Sequence, residues 1–377
     1  MNTLLELTEE LISIPSYVGD NCNEKKIADF IAEYLRKRNF KVKKQLIASD
    51  RYNIIATFGS PRLWLCGHID TVEPKSPEQL IPEIIDGKIY GLGSVDMKGG
   101  IAAILTAINL VEAGSNIGLL FYCDEEYSFA GMRKFLKSFR ERPSLVLIAE
   151  PTNLGISNAH RGLVELNAVV KGKSGHASRP EEGINAITET VKAISKFSEI
   201  INNDYSSTEA GITTCTLSSI KGGTQIGKNG RQIIYSKNTN SIPDTVEICL
   251  DIRPAKINLR GPQVKKLLIK NFDQKGLRLK SIEIKQDFGP LLTPKKSLRT
   301  LENILSGELG SCFYLPSQKM GYGDGQLFFE KTKSPVAYLG PGPTEACHKE
   351  NECVDISSLE KIMLVYKRLI EEYSREE

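Results

Sequence analysis

The sequence predicts an α/β protein with a second, α+β domain inserted into it. Three short apolar runs each end in polar or acidic residues, as buried strands of a sheet covered on both faces do; they span 63–66, 117–123 and 144–149. Further along, residues 163–287 have the order β-α-β-β-α-β, which is typical of the ferredoxin-like motif. We therefore predict a three-layer α/β/α domain with a mostly parallel sheet (1–162 and 288–377) and an inserted ferredoxin-like domain (163–287).

The remaining elements follow from hydrophobic periodicity. Predicted helices span 3–14, 23–38, 101–113, 183–199, 261–273 and 356–373. Predicted strands outside the three apolar runs span 42–47, 53–58, 163–170, 212–220, 246–252, 280–287 and 336–339. The segment from Gly222 to Asp244 is rich in Gly, Lys and Asn, so we predict a mobile loop there.

Composition excludes several classes of protein. Hydrophobic residues make up 40% and charged residues 25% of the 377, as in ordinary globular proteins. The net charge of +3 is too balanced to favour nucleic acid or a membrane surface as a partner. The first helix lacks the basic start of a signal peptide, and no apolar run approaches the roughly 20 residues that span a bilayer. We expect a cytoplasmic protein.

The eight cysteines include no Cys-x-x-Cys pair, which gives no support to a zinc–thiolate site. Cys66, Cys123 and Cys249 lie in apolar, strand-like runs. We predict that these three pack in the core of a protein from a reducing compartment.

The first apolar run is followed by His68 and Asp70. Ligands of open α/β sheets collect beyond the carboxyl ends of the strands, and residues i and i+2 of an extended segment point the same way. One side chain can therefore hold a metal while the other orients it. The alternative is a satisfied structural pair.

The other two runs also end in acids. Asp124, Glu125 and Glu126 follow the second run, and Glu150 follows the third. Neighbouring side chains diverge, so one of Glu125 and Glu126 can ligate a cation while the other acts as a general base. A solvated turn is the alternative for this acidic stretch.

Two loops add further candidates. Asp96 lies in the glycine-rich stretch 93–100 ahead of a predicted helix. It is either a metal ligand or a capping residue, and the glycine spacing is not that of a P-loop. His348 follows the predicted strand 336–339 and is either a ligand or a surface histidine. This carboxylate-rich set suits a pair of divalent ions bridged by one carboxylate.

Six motifs in order resemble one family, and together they span nearly the whole chain. They are Gly67–Val72, Gly93–Gly99, Asp124–Glu126, Glu150–Thr152, Gly175–Ser178 and His348–Glu352. The chain resembles the dizinc exopeptidases and deacylases, a family that includes acetylornithine deacetylase and succinyl-diaminopimelate desuccinylase. Within it, the ending His-Lys-x-Asn-Glu-Cys-Val is most similar to the desuccinylase.

The resemblance implies a metal centre of two zinc ions, with Co²⁺ or Mn²⁺ as possible substitutes. Asp96 would bridge the ions, His68 and Glu150 would complete one site, and Glu126 and His348 the other. Asp70 would orient His68. Glu125 would be the general base toward the water that the ions activate, and it would then protonate the leaving amine.

The resemblance also implies that the inserted domain is a lid and homodimerisation domain. His176 would reach the partner's site and steady the oxyanion, while Asn240 and Arg253 would face the substrate. Gly323 and Asp324 are further candidates for substrate contact; they lie in Met320–Gly325, where the family usually has a Ser or Thr before the Asp. From the residues alone, Arg161 is a candidate ligand contact and His160 a structural neighbour. Arg253 has an ion pair with Asp251 or Asp244 as its alternative, and Asp324 a turn role.

These features predict a hydrolase that removes a succinyl or acetyl group from an amino acid such as diaminopimelate or ornithine. One alternative is a dipeptidase, aminopeptidase or carboxypeptidase of the same family. A second is a non-catalytic binding protein, which the complete set of five ligands and Glu125 disfavours.

Overall fold

The structure, a computed structural model, describes residues 3–19, 22–111, 116–273 and 276–375. The chain forms two compact units. The first unit consists of Met1–Ala159 and Thr293–Glu377, and the second unit is His160–Leu292. The lid role expected of the inserted domain, with its boundaries at 163 and 287, stays a prediction.

The helices of the described residues are α1 (Leu4–Ser13), α2 (Lys25–Arg36), α3 (Lys98–Ala107), α4 (Ala130–Ser138), α5 (Ala186–Tyr205), α6 (Gly261–Asp273), α7 (Arg299–Leu309), α8 (Gly325–Thr332) and α9 (Ile356–Arg375). The strands are β1 (Lys41–Ala48), β2 (Arg51–Phe58), β3 (Leu63–His68), β4 (Glu83–Ile85), β5 (Lys88–Tyr90), β6 (Ile117–Tyr122), β7 (Leu145–Ile148), β8 (Ala159–His160), β9 (Leu163–Lys171), β10 (Thr214–Gly223), β11 (Gln225–Asn229), β12 (Gln232–Tyr235), β13 (Thr245–Arg253), β14 (Arg278–Phe288), β15 (Leu291–Leu292), β16 (Val336–Tyr338) and β17 (Cys353–Asp355).

The first unit is built on a six-stranded sheet with the order β1-β2-β6-β3-β7-β16. The four strands from β6 to β16 are parallel to one another, and β1 and β2 pair antiparallel at one edge. Every residue of β3, β6 and β7 is buried, which confirms the expectation of strands covered on both faces. The carboxyl ends of these three strands therefore lie side by side.

Two glycines of helix α3 make close approaches, one to the residue before Glu150 and one to the loop that carries Asp96. A Cβ on Gly100 would lie 2.5 Å from the carbonyl oxygen of Ala149, and one on Gly99 would lie 2.3 Å from that of Ser94. Any side chain at either position would push the helix away. The predicted helix 101–113 begins earlier, at Lys98, and the helix in the described residues ends at Ala107; the expected end at Ala113 lies outside them.

The second unit contains a four-stranded sheet with the order β10-β13-β9-β14, and all neighbouring strands are antiparallel. Helix α5 connects β9 to β10 and helix α6 connects β13 to β14, so the elements of this sheet follow the order β-α-β-β-α-β. Their apolar faces pack on the sheet in one core, which includes Phe197 and Leu268 from the helices and Val164 and Ile248 from the strands. This is the predicted ferredoxin-like arrangement.

The prediction of a mobile loop between Gly222 and Asp244 is wrong for part of that segment. Strands β11 and β12 form an antiparallel hairpin there. Gly230 is the first of the two turn residues and has a φ of +57°; this is the position at which type II′ hairpin turns take glycine. The hydroxyl of Tyr235 donates to the Glu247 carboxylate at 2.9 Å and anchors the hairpin to β13.

The eight cysteines are free in the structure. Cys66 and Cys123 are buried as predicted, whereas Cys249 is only half-buried. No helix in the described ranges combines the length and the apolar character that crossing a bilayer requires.

Candidate metal centre and active site

The loops that follow β6 and β7 line a cavity of about 340 Å³ in the first unit. Five residues predicted as ligands or base line this cavity: Asp96, Glu125, Glu126, Glu150 and His348. Tyr322, Tyr338 and Cys347 also line it. Segments that are distant in sequence therefore converge on one small, acidic space.

His68 ends β3, and its side chain is only 1% exposed. Its Nδ1–H donates to the main-chain oxygen of Asp70 at 3.0 Å. This hydrogen bond occupies Nδ1 and directs Nε2 toward the neighbouring carboxylates. Nε2 lies 3.0 Å from Oδ1 of Asp96 and 3.7 Å from Oε1 of Glu150, so these three residues form the strand-held half of the centre.

His348 lies in a loop, adopts a left-handed φ of +59° and is half-exposed. Its Nε2 lies 2.9 Å from Oε1 of Glu126 and 3.3 Å from Oδ2 of Asp96. His348, Glu126 and Asp96 thus form the loop-held half. The two oxygens of Asp96 face different histidines, which is the geometry a bridging carboxylate needs. The capping alternative for Asp96 is wrong, because Met97 is the residue that precedes α3.

The donor set fits divalent cations. His68, Asp96 and Glu126 offer ligand atoms that lie within 4.8 Å of one another. Burial raises the pKa of Glu125 and of Glu150 well above the usual range. Burial also acts to raise the pKa of Asp96, but hydrogen bonds from His348 and His68 outweigh it and lower this pKa. Mixed imidazole and carboxylate donors with excess negative charge are what Zn²⁺ and similar ions bind.

Asp70 acts differently from the prediction. Its carboxylate accepts the backbone N–H groups of Glu125 and Glu126, at 3.1 and 3.0 Å. The closest approach of that carboxylate to Nδ1 of His68 is 3.7 Å, so the main-chain oxygen of Asp70 orients the ring. Burial raises the pKa of Asp70 to about 7. Asp70 therefore connects the residues that follow β3 to the loop that carries Glu125, the predicted general base.

The sequence did not predict a positioning role for Glu352, although this residue belongs to the motif His348–Glu352. Its Oε1 accepts the backbone N–H groups of Val95 and Asp96, at 2.9 and 3.0 Å. The fully buried Lys98 donates to the main-chain oxygen of Ile14 at 2.8 Å. Burial lowers the pKa of Lys98 to about 7, against the attraction of Glu352. These contacts fix the loop that carries Asp96.

A second missed group holds the turn before Glu125. Asp124 has a left-handed φ of +70°, and its Oδ1 accepts from Nη2 of Arg51 at 2.7 Å. The same guanidinium makes two hydrogen bonds to the buried carboxylate of Glu24, at 2.8 and 2.6 Å. No sequence pattern links Arg51 to this turn, because the contact depends on the antiparallel pairing of β2 with β6.

Gly323 lines the cavity, whereas Asp324 is fully buried. The hydroxyl of Tyr122 donates to Oδ1 of Asp324 at 3.2 Å, and burial raises the pKa of Asp324 to about 7. This burial argues for a positioning role in place of the predicted substrate contact. Tyr322, which lies in the same Met320–Gly325 segment, lines the cavity and was not predicted as a site residue.

In the second unit, the structure brings His176 and Asn240 together. The N–H of Ala177 donates to the main-chain oxygen of Asn240 at 2.7 Å. His176 is exposed, and its Nδ1 accepts the N–H of Ser178 at 3.2 Å. The ring proton therefore lies on Nε2, which presents a donor to solvent.

Two arginines of the second unit are already hydrogen-bonded. Arg253 makes two hydrogen bonds of 2.7 Å to Asp251, the ion-pair alternative raised above. Nη1 of Arg161 donates to Oγ1 of Thr214 at 3.2 Å. Burial and the nearby charge of Arg253 lower the pKa of Arg161. His160 is buried and donates through Nδ1 to the main-chain oxygen of Arg161 at 2.8 Å, which supports a structural role.

Residues 64–372 match peptidase family M20/M25/M40. The chain belongs to this family of hydrolases. Acetylornithine deacetylases are similar over almost the full length: that of Buchnera aphidicola is 27% identical (98% of each chain) and that of Proteus mirabilis 29% identical (98% of this chain, 97% of the relative). A probable carboxypeptidase of Aspergillus clavatus is 32% identical over 67% of this chain and 62% of its own.

Solved structures of the M20 family have the same fold. A tripeptidase of Staphylococcus aureus superposes with a TM-score of 0.75 at 22% identity and covers 99% of this chain and 98% of its own. A Bacillus subtilis protein described as a dinuclear metal-binding peptidase of the M20 family has a TM-score of 0.68 at 15% identity, with coverage of 98% and 97%. These likenesses confirm the predicted fold class.

Proposed function

We propose that this protein is a metal-dependent amidohydrolase that removes an acetyl or succinyl group from an amino acid such as ornithine or diaminopimelate. The observation that carries the proposal is the position of Asp96, whose two oxygens face His68 and His348 in the cavity that also contains Glu125. The full-length similarity to acetylornithine deacetylases supports the N-acyl amino acid as substrate.

We assign one metal site to His68, Asp96 and Glu150, and the other to Asp96, Glu126 and His348. Zinc suits these nitrogen and oxygen donors, and Co²⁺ or Mn²⁺ could replace it. When bound, such ions supply Lewis-acid chemistry that lowers the pKa of water and polarises a carbonyl.

Glu125 is the proposed proton carrier. Its carboxylate lines the cavity beside Glu126 and Glu150, and its raised pKa suits a group that must both take and release a proton. It would accept a proton from the attacking water and pass it to the leaving amine. Nε2–H of His176, supplied by the partner subunit, would donate to the oxyanion of the tetrahedral intermediate.

Substrate recognition is assigned to Asn240, Arg253, Arg161 and Gly323. The guanidinium groups of Arg253 and Arg161 provide the planar donors that carboxylates bind. For a substrate carboxylate to take both donors of Arg253, it must compete with Asp251. Asp324, whose carboxylate accepts a hydrogen bond from the hydroxyl of Tyr122, is assigned to positioning of the neighbouring cavity residues.

We propose a cytoplasmic homodimer formed through the second unit. Strand β10 is an edge of the four-stranded sheet. A groove beside it has a mixed lining of Val191, Ile194, Cys215 and Leu217 with the polar residues Ser195, Ser198, Glu199, Asn202 and Asn203. An unpaired edge strand favours pairing with a second copy. The eight free cysteines are consistent with a reducing compartment.

The decisive experiment compares N-acetyl- and N-succinyl-amino acids, including ornithine and diaminopimelate, with free dipeptides as substrates of the zinc-loaded enzyme. We expect hydrolysis of an N-acyl amino acid and little of a free dipeptide. Glu125→Gln should keep its metal and lose about 100- to 10,000-fold in turnover. Glu73→Gln, an exposed position, is the matched control. Near-normal turnover by Glu125→Gln would remove Glu125 from the role.

The second candidate is a peptidase of the same family, favoured by the 32% identity to a protein named probable carboxypeptidase. A carboxypeptidase would cleave blocked dipeptides, and a dipeptidase or aminopeptidase would cleave free ones. The same panel separates these activities. Absence of bound metal and of hydrolysis would instead indicate a binding protein.

A further inference from the structure

One edge of the first unit exposes isoleucines among acids. We call residues 76–87, which include β4, the acidic strip. Ile81 is 68% exposed, and Ile84 and Ile85 are also exposed. The charged residues of the strip are Glu78, Glu83 and Asp86, all exposed, and it contains no Lys or Arg. In the sheet β17-β5-β4, strand β4 is the outer strand, so its second edge pairs with no strand of the described residues.

The hairpin of the second unit has the opposite charge. We call residues 221–237, which include β11 and β12, the basic hairpin. Ile226 is 67% exposed and Ile234 is exposed as well. The charged residues of the hairpin are Lys221, Lys228, Arg231 and Lys237, all exposed, and it contains no Asp or Glu. Strands β11 and β12 form a sheet of two strands, so each keeps an edge with no strand partner in the described ranges.

The two surfaces complement each other in three ways. Each exposes isoleucines whose removal from water would be favourable. Each offers strand edges, which natural proteins usually pair, cover or charge with one sign. Their charges, −3 on the acidic strip and +4 on the basic hairpin, attract each other and steer association. Two copies of the hairpin, or two copies of the strip, would repel.

We propose that the basic hairpin of one copy docks on the acidic strip of a second copy. In a dimer with two-fold symmetry the contact occurs twice, because each copy contributes one strip and one hairpin. Apolar contact between Ile226 or Ile234 and the strip isoleucines would form its centre, with the charges at the rim. The contact rests on the homodimer proposed above and adds a second area to its interface.

Isotope-mixed cross-linking tests the contact directly. Unlabelled and ¹⁵N-labelled enzyme are mixed until native mass spectrometry shows subunit exchange. A zero-length carbodiimide then joins carboxylates to lysines. We expect peptides from the strip and the hairpin to be joined with one light and one heavy partner. Joined peptides of one isotope only would place the contact within one chain and overturn the proposal, and so would the absence of strip–hairpin peptides.

Charge reversal provides the second arm. We expect E78K/E83K and K228E/R231E each to raise the dissociation constant of the dimer by about 10-fold or more in sedimentation. In a 1:1 mixture of the two variants the dissociation constant should return toward the wild-type value. The mixed dimer has one contact with the native charges and one in which the reversed residues of strip and hairpin again have opposite signs. The surface reversals E308K/E360K and K265E/K266E are matched controls and should change the dissociation constant less than about 2-fold.

The outcomes separate this contact from the proposals above. A dimer in which neither reversal has an effect overturns the docking and leaves the lid-mediated dimer intact. A monomeric wild-type enzyme overturns both the dimer and the docking. Turnover of the N-acyl substrate is measured on the same samples and tests the catalytic proposal independently.

Discussion

The two halves of the candidate metal centre are built in different ways. In the strand-held half, His68 is 1% exposed, ends a fully buried strand and has its second nitrogen fixed by Asp70. In the loop-held half, His348 is 50% exposed and lies in a loop. Only Asp96 belongs to both halves.

This difference indicates which ligands are already in position before a metal ion binds. The backbone around His68 is fixed by neighbouring strands before any ion arrives, so little order is lost on binding. His348 is held mainly by its contacts with Glu126 and Asp96. A bound ion would replace these contacts, because it would link the same three side chains. We expect the strand-held half to bind metal more tightly, and the loop-held half to exchange it.

The largest effect is expected where the halves meet. Asp96→Asn keeps the shape of the side chain but replaces the one carboxylate that both halves share with a neutral amide, which is a weaker metal ligand. We expect turnover to fall by about 1,000-fold or more and metal content to fall below two ions per chain. Turnover and elemental analysis after dialysis measure both. Full occupancy of two ions in this variant would contradict the bridging role.

Replacing each histidine in turn tests the comparison itself. His68→Ala should weaken the tighter site by more than about 100-fold, beyond the usual cost of losing an outer partner. His348→Ala should keep one tightly held ion. Titration with a chromophoric chelator separates the two sites, and thermal melts report whether each variant is folded. Equal loss of both ions in the two variants would show that the halves are not distinct.

Much of this arrangement could be predicted from the sequence. The apolar runs ending in His68, Glu125 and Glu150 are continuous in sequence, and parallel strands must bring their carboxyl ends to one edge of the sheet. The β-α-β-β-α-β order of the second unit could also be predicted, because each element has its own periodicity in a continuous stretch of sequence. Asp96 and His348 could be placed at the site only through the resemblance, since neither loop has a periodicity of its own.

The parts that escaped prediction depend on tertiary contacts. The hydrogen bonds that Glu352 accepts from the Asp96 loop join residues more than 250 positions apart. The ion pair between Arg51 and Asp124 requires the pairing of β2 with β6. The i, i+2 rule placed Asp70 beside His68 but could not show that its main chain, and not its carboxylate, contacts the ring.

Asp70→Asn sharpens the comparison from the strand side. The amide keeps one acceptor, so one of the backbone N–H groups of Glu125 and Glu126 loses its partner, while the main-chain contact to His68 remains. We expect turnover to fall by about 10- to 100-fold with metal affinity little changed. Parallel metal titrations and kinetics test this. A loss of metal as large as that in His68→Ala would return Asp70 to the predicted role of orienting the ring.

The smallest effect is expected for Glu352→Gln. An amide oxygen can still accept the N–H groups of Val95 and Asp96, so we expect less than about 10-fold loss of turnover. Glu352→Ala removes the oxygen that accepts both N–H groups. Because two backbone donors then lack this acceptor, we expect a larger loss of turnover than in Glu352→Gln. The contrast matters because Glu352 follows His348 by four residues while holding the loop of Asp96. If both variants lose the loop-held ion and keep the strand-held one, then Glu352 couples the exposed half of the centre to its bridging carboxylate.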